Sequence, residues 1–150
     1  MTIPAGERIV SVSRHVRATP EQIFEILADP RMHSRIDGSG TVRGEISGPA
    51  RLHLGARFGM AMRWGLPYRV VNRVIEFEEG RRIAWWHLAH NAWRYVLEPR
   101  DGGTLVTEQF DWSRSRSGLL LRRTNLLRRN EAAMRATLDR LAALLEVATA

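Results

Sequence analysis

Hydrophobic and polar residues alternate along the middle of the chain, from Thr41 to Trp112, as half-buried β-strands require. The clearest run alternates Phe58, Met60, Met62 and Trp64 with small or charged residues. Residues 9–18 show the same period of two, with Val10, Val12 and Val16 on one face. Turns are predicted at 65–68 (GLPY), 78–82 (EEGRR) and 99–104 (PRDGGT), the last a strong hairpin signal. The pattern predicts one early strand and then about six antiparallel strands.

Two other segments carry the period of an α-helix. In TPEQIFEILADP, Thr19 can cap a helix, Pro20 suits its first turn, and Gln22 completes a capping box. A further helical turn is predicted over 31–36, before the glycine-rich DGSG. The stretch 119–147 has no proline or glycine and predicts one amphipathic helix of about 28 residues. We expect this helix to cover the sheet rather than form a coiled coil, and to bury Leu127, Met134, Leu138, Leu141 and Leu145.

Composition narrows the class of protein. The 150 residues suffice for one domain, and the absence of cysteine excludes disulfides and a thiol nucleophile. We find no transmembrane run and no secretory signal, and therefore expect a cytoplasmic protein. Every basic residue is arginine, and 114–130 holds six of them without an acidic residue. This run could bind phosphates or an anionic membrane, or it could be the solvated face of a helix. Because no nucleic-acid-reading motif accompanies it, nucleic-acid binding is not predicted.

Three segments together suggest a family. They are VSVSRHVRATPEQIFEILADP, VIEFEEGRRIAWWHL and WRYVLEPRDGGTLVTEQFDW, followed by the C-terminal helix. The chain resembles the START-like superfamily, also called SRPBCC or helix-grip proteins, and within it the bacterial polyketide cyclase/dehydrase-like branch. The resemblance implies a single α+β domain over 1–150. In that fold a seven-stranded antiparallel sheet wraps around a long C-terminal helix, with two short helices after the first strand and a cavity for lipids or polyketides.

Motifs for metal, nucleotide or covalent chemistry are missing from the sequence. His87 and His90 have an HxxH spacing, but they fall at a strand end and a turn, with no carboxylate at ligand spacing. We predict that the isolated histidines are surface or edge residues: His15, His33 and His53. No Walker A or GxSxG sequence occurs. The sequence therefore predicts neither a metal nor a cofactor.

Hairpin pairing predicts which side chains share one face of the sheet. If PRDGGT pairs Pro99 with Thr104, then Tyr95 lies opposite Glu108. A two-residue turn before this hairpin would add Trp86 to the same face and turn Trp85 and His87 outward. The predicted ligand-binding face comprises Phe58, Met60, Met62, Trp64, Trp86, Trp93, Tyr95, Glu108, Phe110 and Trp112. Such a set either packs as a core or lines a cavity of about 300–1,000 Å³, and the resemblance favours the cavity.

Two functions fit this face. One is binding of a small, largely apolar or aromatic molecule, and the alternative is a cofactor-independent polyketide cyclase/aromatase with Glu108 and Tyr95 as candidate acid and base. A third alternative is a regulatory protein that acts through its surface. Glu108 should find a donor or raise its pKa, since burying an ionised carboxylate is costly. A homodimer is also predicted, from an outward apolar set comprising Ile83, Trp85, Val96 and Leu105.

Overall fold

A computed structural model describes residues 8–148, apart from the side chains of 43–46, 64, 147 and 148. Within this part of the chain seven strands form one antiparallel sheet, in the order β1-β7-β6-β5-β4-β3-β2. The strands are β1 (Ile9–Val16), β2 (Val42–Ser47), β3 (Arg57–Trp64), β4 (Leu66–Glu78), β5 (Arg82–Trp86), β6 (Ala92–Arg100) and β7 (Gly103–Asp111). The helices are α1 (Pro20–Ala28), α2 (His33–Ile36), α3 (Gly118–Arg123) and α4 (Leu126–Ala148). The predicted helix-grip order is confirmed.

Helix α1 begins at the predicted capping box. The Thr19 hydroxyl accepts a hydrogen bond from the Gln22 amide at 3.2 Å, and the Gln22 side chain accepts one from the Thr19 amide at 2.9 Å. These two bonds satisfy amides that have no partner within the helix. The helix buries Ile23, Phe24 and Leu27, and a 3-10 turn (Pro30–Met32) then leads into α2.

The prediction of one uninterrupted C-terminal helix is wrong. Residues 124 and 125 separate α3 from α4, and Thr124 adopts an extended conformation (φ −120°, ψ 171°). The Thr124 hydroxyl donates to the Leu120 carbonyl at 2.8 Å, a local bond that competes with helix propagation. Leu120, in the helix before this break, is 56% exposed. The core prediction for α4 is confirmed for Met134, Leu138 and Leu141, whereas Leu127 and Leu145 are partly buried.

The hairpins fix the register of the sheet. Between β6 and β7, Arg100 pairs with Gly103 across Asp101 and Gly102, whose φ values of 51° and 74° suit a tight two-residue turn. The turn predicted at 65–68 is shorter than expected. Because Trp64 already pairs with Leu66, only Gly65 (φ 76°) lies between β3 and β4.

A bulge interrupts the pairing of β4 with β5. The register shifts between Val74 and Glu76, so that Ile75 has no pairing partner in β5. Before the bulge Val74 lies opposite Trp85 on the buried face, and after it Phe77 takes that face. The Phe77 ring meets Phe24 of α1 with centroids 5.3 Å apart. One strand thus serves both the sheet core and the contact with α1.

Candidate functional site

The predicted pairing between β6 and β7 is confirmed. Tyr95 lies opposite Glu108, and Trp93 lies opposite Phe110 with ring centroids 4.7 Å apart. On the other side of β7, Glu108 pairs with Val12 of β1. Helix α4 packs against β1 and β7, which covers this inner face of the sheet. Glu108 is therefore a carboxyl group in the middle of an apolar layer.

Glu108 is 3% exposed, and its two oxygens differ in their surroundings. The Tyr95 hydroxyl donates a hydrogen bond to Oε1 at 3.0 Å, whereas buried Oε2 has no hydrogen-bond partner. Burial raises the pKa of Glu108 to about 8; the Tyr95 bond opposes this rise, and the negative charge of Asp37 adds to it. Near neutral pH the carboxyl group keeps its proton, which leaves Oε2 able to donate to a bound molecule.

A stack of rings extends from Tyr95 to α2. Trp85 lies 5.8 Å from the Tyr95 ring, and His33 stacks on Trp85 at 4.9 Å with an interplanar angle of 17°. The Nε2 atom of His33 donates to the Leu27 carbonyl at 2.9 Å, and its buried Nδ1 has no partner. Burial lowers the pKa of His33, so the ring is neutral and Nδ1 is a free acceptor. The prediction that His33 is a surface or edge residue is wrong.

Strand β5 faces the opposite way from the prediction. The register pairs Trp85, not Trp86, with Trp93, because five residues separate β5 from β6 where a two-residue turn was expected. Trp85 is 6% exposed, whereas Trp86 is partly exposed and its ring contacts His90 at 5.4 Å. Ile83 also faces inward and is buried. The outward apolar set predicted from the sequence therefore loses both Ile83 and Trp85.

His87 also lies on the inner side, which corrects the prediction that it points outward. Its Nδ1 bonds to the Oδ1 atom of buried Asn72 at 2.7 Å, and because a carbonyl oxygen only accepts, Nδ1 carries the proton. Burial lowers the pKa of His87 to about 4, so the ring is neutral. No group of three metal-ligating side chains occurs among the described residues. His87 and Asn72 form a second polar pair on the inner side, in addition to the one formed by Tyr95 and Glu108.

A comparison with known families identifies the family of this chain. A family model described as "Polyketide cyclase / dehydrase and lipid transport" matches residues 7–146. The chain belongs to this family. It is 39% identical over 145 residues to the uncharacterized protein Rv0088 of Mycobacterium tuberculosis, and the match covers 93% of this chain and 65% of that protein. The chain thus spans less than two thirds of the length of this relative.

Solved structures share the fold at low sequence identity. Protein Ms6760 from Mycobacterium smegmatis superposes with a TM-score of 0.72 at 18% identity, over 94% of this chain and 92% of that one. The AHSA1-like protein from Aeromonas hydrophila gives 0.68 at 18% identity, over 94% of each chain. The Aha1 dimer from Colwellia psychrerythraea gives 0.68 at 16%, over 93% of this chain and 96% of its own. The resemblance to SRPBCC proteins is confirmed.

Most of the predicted site residues of this family member are buried. Those buried are Phe58, Met60, Met62, Tyr95, Glu108, Phe110 and Trp112. Trp93 is partly buried, and the Trp64 side chain lies outside the described part. Sequence reasoning missed Trp85, His33, Asp37 and Asn72. A ligand-sized cavity among the aromatic residues stays a prediction.

An open pocket of about 470 Å³ lies instead between α2 and α4, where none of the predicted residues occurs. It is lined by Arg35, Arg140, Ala143 and Leu144. Arg140 also donates to the Asp37 carbonyl at 2.6 Å, which connects α4 to the end of α2. In this family member no helix among the described residues is long and apolar enough to cross a bilayer.

Proposed function

We propose that the protein binds a small, largely apolar or aromatic molecule, lipid- or polyketide-like, between the inner face of the sheet and α4. The observation that carries this proposal is Oε2 of Glu108, a buried oxygen without a hydrogen-bond partner beside Tyr95. Leaving a buried polar atom unpaired costs about 1–3 kcal/mol. A bound molecule with a hydrogen-bond acceptor, such as a carbonyl group, would restore that bond.

The hydrogen-bonding atoms left unpaired at Glu108 and His33 indicate which groups a ligand would carry. The protonated carboxyl offers a donor, and the neutral His33 offers an acceptor at Nδ1. The buried core of the protein contains aromatic rings and flexible methionines, which adapt well to an apolar molecule. The ligand therefore has a hydrophobic body and one or two uncharged polar groups. The family description, which includes lipid transport, supports this chemical class.

Catalysis is the second candidate, and the Tyr95–Glu108 hydrogen bond favours it. A carboxyl group with a pKa of about 8 can both give and take a proton near neutral pH. In a polyketide cyclase, ionised Glu108 would remove a proton from a carbon between two carbonyls of the poly-β-ketone chain. The resulting enolate carbon would bond to a second ketone carbon, whose oxygen takes the proton back from Glu108 and becomes a hydroxyl group. Glu108 would then move the remaining hydrogen of the same enolate carbon to that hydroxyl as a proton, which releases water and leaves a carbon–carbon double bond. Tyr95 would hold the carboxyl in position.

Native mass spectrometry of the purified protein tests binding directly. We expect an additional mass from a co-purifying small molecule in wild type, and loss of most of it in Glu108→Leu, which removes the hydrogen-bonding group at similar volume. Glu98→Gln is the matched control, because this glutamate is 57% exposed on β6. A wild-type spectrum with no additional mass after gentle purification from the native host would contradict the proposal.

Glu108→Gln separates the two candidates. A binding protein should lose affinity, because the amide carries a different set of donors and acceptors from the carboxylic acid. An enzyme should keep binding nearly intact and lose turnover of a poly-β-ketone substrate, since an amide cannot exchange the proton. The cytoplasmic location stays a prediction. So does the homodimer, for which Val96 and Leu105 remain as outward apolar residues and the dimeric Aha1 protein of Colwellia psychrerythraea offers a parallel.

A further inference from the structure

The connection from β7 to α4 exposes leucines to solvent. In α3, Leu121 is 4% exposed and anchors the helix on the core, whereas Leu119 and Leu120 are 65% and 56% exposed. Two adjacent exposed leucines on a single short helix are unfavourable in water, because each keeps most of its apolar surface hydrated. Contact with an apolar partner would remove this surface from water and would be favourable.

Arginines surround these leucines. The stretch 113–130 contains six arginines and no acidic residue. Arg114, Arg116 and Arg123 are exposed, while Arg122 lies over the Trp112 ring at 5.5 Å. Such a concentration of positive charge attracts an anionic surface.

A second loop is attached to the same region. The Arg116 amide donates to the Ala89 carbonyl at 2.9 Å, which holds the 3-10 turn Leu88–His90 beside the start of α3. Leu88 in this turn is 47% exposed. Ala89 and His90 both have positive φ values, 55° and 57°, which few non-glycine residues adopt. Backbone strain of this kind persists where the surrounding structure enforces it.

We propose that these residues form a docking surface for an anionic lipid bilayer, on which the protein lies peripherally. The leucine–arginine surface comprises Leu88, Leu119, Leu120, Arg114, Arg116 and Arg123. Arginines would contact the lipid phosphates while the leucines enter the boundary between headgroups and acyl chains. A nucleic acid offers phosphates but no apolar layer for leucines, so the combination favours a membrane. This inference goes beyond the proposed function and does not depend on whether Glu108 binds a ligand.

Vesicle co-sedimentation tests the surface. The probes are phosphatidylcholine vesicles with and without about 30% phosphatidylglycerol at low and high salt. We expect binding to the anionic vesicles, weakened by salt and nearly absent with phosphatidylcholine alone. Arg114→Gln/Arg116→Gln/Arg123→Gln should lower affinity by roughly 5-fold per arginine, or about 100-fold together. Leu119→Ser/Leu120→Ser should lower it by about tenfold with less effect on salt dependence.

Matched controls lie on strands β3 and β4. Leu66→Ser/Val71→Ser removes residues that are 79% and 70% exposed, and Arg57→Gln/Arg63→Gln/Arg73→Gln removes three exposed arginines. Both control variants should retain wild-type binding, and circular dichroism should show all variants folded. If the leucine variant unfolds, vesicle binding by the arginine variant and its control tests the proposal.

Three results would overturn the proposal. The first is no sedimentation of wild type with anionic vesicles, and the second is an equal loss of binding in the control and surface variants. The third is tight binding of a duplex DNA probe, abolished by the arginine variant but not by the leucine variant. That pattern would assign the arginines to a polyphosphate partner instead of a bilayer.

Discussion

Glu108→Gln should become more stable relative to wild type as pH rises. The folded protein keeps the Glu108 proton up to a pKa of about 8, whereas the unfolded chain loses it near the ordinary value of 4.5. Between these two pH values the unfolded state binds one proton fewer than the folded state, so the wild-type free energy of unfolding falls as pH rises. Glutamine cannot ionise and contributes nothing to this fall.

The magnitude follows from the pKa difference. One pH unit corresponds to about 1.4 kcal/mol, so the interval from about pH 5 to about pH 8 amounts to about 4 kcal/mol. Single domains of this size are stable by about 5–15 kcal/mol, and the effect is therefore a large fraction of the total. It arises because a carboxylate at this position would lose its hydration without gaining a cationic partner.

The assay is urea unfolding of both proteins at about pH 5, 6.5 and 8. The pKa values of buried His33 and His87 are lowered, so both add stability as pH rises to their unfolded value of 6.5 and add none above it. This contribution is the same in wild type and variant and cancels in their difference. Above pH 6.5 the Glu108 contribution stands alone and should reach about 2 kcal/mol. Glu98→Gln is the control, because an exposed carboxylate is solvated in both states.

A constant difference between Glu108→Gln and wild type, within about 0.5 kcal/mol across the whole range, would refute the reasoning. It would mean that Glu108 is ionised in the folded protein at about pH 5 and has a hydrated or cationic environment. The role proposed for its proton would then fail in both the binding and the catalytic form.

Three further substitutions test the packing by urea or thermal unfolding. Gly38→Ala should lower the free energy of unfolding by about 3 kcal/mol or more, because a Cβ there collides with the α4 backbone. Gly40→Ala meets open space and should cost only the strain of its φ of 72°, about 1 kcal/mol. Equal costs at the two glycines would contradict the close approach. The Arg94 guanidinium lies 2.6 Å from the Glu76 carboxylate. Arg94→Ala should cost about 3 kcal/mol, because it leaves Glu76 without its main cation. Adding Glu76→Ala should recover part of that loss. Met134→Ala should cost about 3 kcal/mol because this side chain is 1% exposed, and a loss below about 1 kcal/mol would place it outside the core.

Turn chemistry explains which parts of the site could be predicted. The β6–β7 turn contains Asp101 and Gly102, residue types that tolerate positive φ, so its length and register could be deduced and Tyr95 was placed opposite Glu108. The β5–β6 turn also uses positive φ, but at Ala89 and His90. Without a glycine or proline its length could not be deduced. Assuming a two-residue turn placed Trp86 on the inner face and Trp85 on the outer face, which is the reverse of the structure.

Other features depend on contacts between distant parts of the chain. His33 is buried because α2 packs it onto Trp85, 52 positions later in the sequence. No local period reports such a contact. The helix break at Thr124 has a local signal, but threonine and asparagine lower helix stability by only about 0.7 kcal/mol each at most, which is too little to predict a break. The side-chain bond from Thr124 to Leu120 adds a further local preference.

The bulge makes β4 one residue longer than its ladder with β5 requires. The residues on either side of Ile75 pair with adjacent residues of β5, so Ile75 is the extra one. Deleting Ile75 would therefore close the ladder while Val74 and Phe77 stay on the buried face. Residue number can thus vary at this point of the chain, whereas one residue more or fewer elsewhere in the ladder would exchange its two faces. A gap placed here in an alignment of family members would mark a relative that lost the bulge and kept the ring that faces α1.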